Sequence, residues 1–95
     1  MKGYWIARVR VLDDVSYDRY RALTPAAIAA YGGRFTVRGG RAETVEGTDW
    51  PRHVIIEFPS YEQALACYRS EAYQAARRER LGAALADICV VEGVD

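Results

Sequence analysis

The chain has 95 residues, 51% of them hydrophobic and 27% charged, with 13 basic side chains balanced by 13 acidic ones. That length holds one domain, residues 1–95, able to bury roughly 60–65% of its unfolded surface, and its apolar content excludes the disordered class. The neutral balance argues against a nucleic-acid binder, and no apolar run nears the ~18 residues that span a bilayer.

The first residues, "MKGYWIARVR", hold no signal-peptide core, so the chain is expected in the cytoplasm, without a membrane partner. "GYWIARVRV" (3–11) alternates, with Trp5, Ala7, Val9 and Val11 on one side and Tyr4, Ile6, Arg8 and Arg10 on the other, and predicts a strand. "DDVSYDRYRALTPAAIAAYGG" shows helical spacing in Tyr17, Tyr20, Ile28 and Tyr31, with Asp14 or Ser16 as N-cap and Gly32 as the stop. Pro25 lacks an N–H, which predicts a kink or a restart with Thr24 as a new cap.

Gly39-Gly40 lies between "FTVR" and "RAETV" and reads as a two-residue hairpin turn. With no helix after it, the double glycine is not a phosphate cradle. The hairpin register sets Arg38 opposite Arg41, a like-charge pair that Glu43 or a bound carboxylate would compensate. "HVIIEF" (53–58) is a strand. Ser60 with Gln63 forms a capping box opening a helix, and Ser70 caps a second, "EAYQAARRERLGAAL", with Ala72, Tyr73, Ala76 and Leu81 inward and "RRER" as a solvated face. "DICVVEGV" (87–94) is the last strand. This order fits an α+β fold, a ferredoxin-like split βαβ sandwich with both helical segments on one face of an antiparallel sheet.

Those helices cover one sheet face, yet the strands are apolar on both: Ile55 opposes Val54 and Ile56, and Cys89 and Val91 oppose Ile88 and Val90. An uncovered apolar face of this kind predicts a homodimer, sheet against sheet.

The run "AAYGGRFTVRGG", then "VEG", "DWPRHVIIEFPSYEQALACYRSEAYQ" and "VVEGV", closely resembles the uncharacterised family called domain of unknown function 1330, over nearly the whole chain. The resemblance implies a dimeric α/β-barrel, ferredoxin-like fold, related in architecture to cofactor-free antibiotic-biosynthesis monooxygenases, muconolactone isomerases and haem-degrading enzymes. It implies no reaction.

Candidate chemistry is sparse. His53 is the single histidine and the first choice as general base, with Glu57 further along the same strand face; a structural place at the dimer seam is the alternative. Arg38 and Arg8 are candidate anion holders, unless paired with Glu43, Glu46 or Glu57. Tyr20 and Tyr68 are placed to line a pocket between helices and sheet, and Trp50 to cap it or pack across the dimer. Cys67 and Cys89 are far apart, read as buried free thiols, and lack metal-ligand spacing. No P-loop, nucleophile elbow or dinucleotide fingerprint is present, so neither metal nor cofactor is expected. The leading expectation is a homodimer binding a small organic acid or carbonyl compound, with cofactor-free proton transfer or oxygenation if it is an enzyme. A non-catalytic dimeric module is the alternative.

Overall fold

A computed structural model describes residues 1–95. Along the chain run β1 (Gly3–Val11), α1 (Asp14–Ala30), β2 (Arg34–Arg38), β3 (Arg52–Phe58), α2 (Tyr61–Arg69), α3 (Glu71–Arg80) and β4 (Ala84–Glu92). The strands pair antiparallel in the order β2-β3-β1-β4. All three helices lie on the face to which Trp5, Ala7, Val9, Ile56 and Phe58 point, the ferredoxin-like split βαβ layout. No helix is long and apolar enough to cross a membrane.

The core forms where the alternating strands meet the helices. Trp5 is 2% exposed and donates from Nε1 to the Ala64 carbonyl at 2.8 Å, so its one polar atom is paired inside the core. Its ring stacks at 5.4 Å from Phe58 and edge-on at 4.8 Å from Tyr73. Cys67 is buried against the Ala27 carbonyl, and burial pushes its thiol up to about 12, leaving it an inert core group. Cys89 differs from expectation: it lies exposed on the helix-free face.

Helix α1 departs from its sequence reading in two ways. Its N-cap is Asp13, not Asp14 or Ser16: the Asp13 carboxylate accepts from the Val15 and Ser16 N–H groups at 3.1 and 3.4 Å. The helix also runs through Pro25 without restarting. Pro25 deprives the Arg21 carbonyl of its helical donor, and the buried Thr24 hydroxyl takes that place at 3.4 Å. Thr24→Val keeps the shape and removes the donor. It is expected to cost about 1 kcal/mol, a fall in Tm of roughly 4–8 °C by calorimetry; an unchanged Tm would show that the hydroxyl plays no such part.

Two boundaries also differ. α3 ends at Arg80, and β4 begins at Ala84, three residues before the expected start. Gly82 adopts φ +82°, and the Ala83 carbonyl accepts from the Leu12 and Asp13 N–H groups, so pairing with the end of β1 overrides the helical preference of "LGAAL". Leu81 and Ala72, expected inward, are exposed, and Arg80 takes the inner position. The "RAETV" segment forms no strand: residues 39–51 are a loop, and β2 pairs with β3 instead. "RAETV" has no apolar face to bury, and Val45 is 88% exposed, whereas β3 brings Ile56 and Phe58 into the core. Arg38 therefore stands opposite Val54, not Arg41.

The helix-free face is layered. Across its middle run Val37, Ile55, Ile6 and Cys89; on one side lie Arg34, Glu57, Tyr4 and Val91, on the other His53, Arg8 and Asp87. Val37, Val91 and Leu85 are 36%, 42% and 54% exposed, so the chain leaves the apolar part of this face open; only its His53 and Arg8 side lies near the loop 43–50.

Candidate functional site

A small cavity of ≈ 40 Å³ lies between the sheet and helices α1 and α3. Its floor is made of short side chains, Ala7, Val9 and Ala86, and this leaves space under the rings of Tyr17 and Tyr20 from α1. α1 packs beside α3, whose Arg80 completes the lining.

Four arginines line this mostly apolar cavity: Arg21, Arg38, Arg52 and Arg80. Arg21 pairs with Asp18 at 3.3 Å, but no carboxylate reaches Arg38, Arg52 or Arg80. Arg80 is 7% exposed, and the Nε atoms of Arg52 and Arg80 are buried without a hydrogen-bond partner. Each guanidinium lies over a ring: Arg38 on Phe35 at 4.2 Å, Arg52 on Tyr17 at 5.7 Å and Arg80 on Tyr20 at 5.4 Å. Stacking of that kind shields the face of the guanidinium and leaves its N–H edge for an in-plane acceptor. The hydroxyls of Tyr20 and Tyr73 share a hydrogen bond at 2.8 Å. Burial raises the pKa of both, so they are neutral at physiological pH.

One glycine of the Gly39-Gly40 pair serves this site. Gly39 sits at φ +68° and donates its N–H to the His53 carbonyl, and a Cβ there would overlap the Arg52 guanidinium. Gly40 has neither constraint. Gly39→Ala is expected to cost about 1 kcal/mol through its positive φ and to displace Arg52, while Gly40→Ala leaves denaturant stability unchanged; equal effects of the two would sink this account.

The residues singled out in the sequence divide between two places. Arg38 and Tyr20 line the cavity. Tyr68 packs edge-on against Trp5 at 5.8 Å and lines the outer grooves beside β4, not the cavity. His53, Arg8 and Trp50 lie on the helix-free face, around an open hollow under the loop 43–50. Glu57 shares that face, four residues from His53, and is engaged: it accepts from Arg34 at 2.9 Å and from the Tyr4 hydroxyl at 3.0 Å. Those two hydrogen bonds, Arg34's first, hold its carboxyl below the usual range. The sheet thus separates His53 and Glu57 from the cavity of Arg38 and Tyr20, and the expected set does not converge.

Arg52 and Arg80 were missed. Both carried a signal: Arg52 is in phase with Val54, Ile56 and Phe58, and Arg80 follows Tyr73 by seven and Ala76 by four, a helical face. The charge of Arg80 led to the opposite reading, a solvated face, since arginine is rarely buried unpaired.

The family profile described as "Domain of unknown function (DUF1330)" matches residues 2–94. No curated protein matches the chain. Among solved structures, a protein of unknown function from Rhodopseudomonas palustris is similar with TM-score 0.78 at 17% identity, covering 99% of this chain and 83% of that one. A dimeric ferredoxin-like protein of unknown function from Jannaschia sp. CCS1 follows at TM-score 0.73 and 12% identity, with 98% and 100% covered. SnoaB of Streptomyces nogalater, described as a cofactor-independent oxygenase, gives TM-score 0.55 at 6% identity, with 99% and 94% covered. At these identities the likeness speaks for the fold alone.

Proposed function

This chain belongs to the domain of unknown function 1330 family, and from that premise we propose that it is a cytoplasmic homodimer that binds a small organic acid as its anion, head group in the cavity between sheet and helices. The observation that carries this reading is Arg80, buried, unpaired at Nε and without a carboxylate in reach. A cation left so inside a protein is costly unless an anion joins it. The sheet-to-sheet dimer is supported by the uncovered Val37, Ile55, Ile6 and Cys89 row and by a structural neighbour described as dimeric.

Chemically, the cavity offers stabilisation of negative charge and no proton abstraction. Its titratable lining is arginine and tyrosine, with no histidine, aspartate or glutamate. Of the two cofactor-free chemistries, oxygenation of a substrate that arrives as an anion suits such a site better than enolisation by a protein base. His53 and Glu57 are then structural or dimer-seam residues. Thermal-shift screening against small carboxylates and quinones tests the reading: carboxylates are expected to raise Tm, by about 2.7 kcal/mol of stability at a hundredfold excess over Kd. If no carboxylate stabilises the protein, the proposal fails.

A further inference from the structure

The cavity is too small for a whole organic acid. Its ≈ 40 Å³ holds no more than a few waters, so the body of any ligand must lie outside it. The structure supplies such a place along the free edge of β4. Arg80, Ala86 and Ile88 belong both to the cavity wall and to an outer groove of ≈ 660 Å³. Tyr68 and Ile88 in turn are shared between that groove and a second, ≈ 370 Å³, formed by Leu65 of α2 and Val90 of β4. The arginine-lined cavity and the outer grooves thus meet at Arg80 and Ile88.

The charges along this path are mostly positive. Arg77, one turn before Arg80 on α3, lines the first groove and also has a buried, unpaired Nε, while Arg69 lines the second. The only carboxylate on the path is Asp87, which is exposed. We infer that the ligand is an elongated, amphipathic monocarboxylic acid whose carboxylate sits on Arg80, with Arg52 across the cavity, and whose apolar body passes Ile88 and Tyr68 to lie between Leu65 and Val90. Arg80 forms the wall between the two spaces, so the acid enters along the β4 edge and its carboxylate meets Arg80 first. This rests on the anion-binding reading above and names its ligand class. It also gives Tyr68 a place at the same site as Tyr20.

The test is isothermal calorimetry on the full chain with straight-chain carboxylates from propanoate to octanoate, below their micellar range, and the matching alcohols. Affinity is expected to rise about fourfold per added methylene, the equivalent of about 0.8 kcal/mol, with the alcohols far weaker. In Leu65→Glu, or the milder Leu65→Gln, the short acids should bind as before and the dependence on chain length should flatten. A flat series in the unaltered protein overturns the elongated ligand while leaving the anion site standing. A chain-length dependence that survives both Leu65 variants places the body elsewhere and also overturns it. Failure of every acid to bind removes the anion reading itself.

Discussion

Ile55→Glu is expected to convert the proposed homodimer to monomers without unfolding the chain, seen as the mass of one chain by light scattering at micromolar concentration. Ile55 stands at the middle of the helix-free face, between Val37 on β2 and Ile6 on β1. In a two-fold pairing of sheets its neighbourhood is met twice, so each substitution introduces two charges into the seam. Buried in the seam, each costs roughly 2–3 kcal/mol, which together weakens dimerisation by three to four orders of magnitude. The helix-side core is separate: Trp5, Ile56 and Phe58 point the other way, so the monomer retains its fold. Val45→Glu, on the 88% exposed loop residue, is the matched control and should remain dimeric. A dimer that persists in Ile55→Glu, or an unaltered protein that is already monomeric, would refute sheet-to-sheet assembly.

Much of the fold was legible because its strands state their two faces. In β1, Trp5, Ala7 and Val9 alternate with Tyr4, Ile6 and Arg8, and burial follows that alternation. The Ser60 and Ser70 caps were legible for a local reason: each serine oxygen accepts the N–H three residues on. Reading failed where a distant partner decides. "RAETV" alternates, but alternation without an apolar face has nothing to bury, and β2 pairs with β3 across the loop 39–51. "LGAAL" favours helix locally, yet the Ala83 carbonyl is claimed by Leu12 and Asp13, just past the end of β1. Pro25 should break α1, but the Thr24 hydroxyl bonds the carbonyl that it strands. The site was half legible. Arg38 and Tyr20 reach the cavity, whereas the search for a base led to His53 and Glu57, which the sheet puts on its other side. Arginines inside a fold break the ordinary burial rule, and such breaches are where function is found.

Arg80→Met should raise stability and weaken acid binding together, a pairing that an ordinary structural residue does not show. Methionine approximates the length of the arginine stem and keeps a good helix residue at the end of α3. In the ligand-free protein the substitution removes a buried charge whose Nε has no partner, a relief of about 1–3 kcal/mol. Against this stands the lost contact of the guanidinium with the Tyr20 ring, 5.4 Å to its centroid, about 0.5–1 kcal/mol at such sites. The relief wins by about 1 kcal/mol, and Tm should rise by roughly 4–8 °C. Acid binding moves the other way: losing a charge-assisted hydrogen bond of roughly 1.5–3 kcal/mol weakens carboxylates about 10- to 100-fold. Arg80→Lys keeps the charge but not the planar fork and should recover only part of the affinity. A fall in Tm with carboxylate affinity unchanged would make Arg80 a structural group, because a residue kept for the fold is missed when the cavity is empty, and one kept for an anion is missed only when it is full.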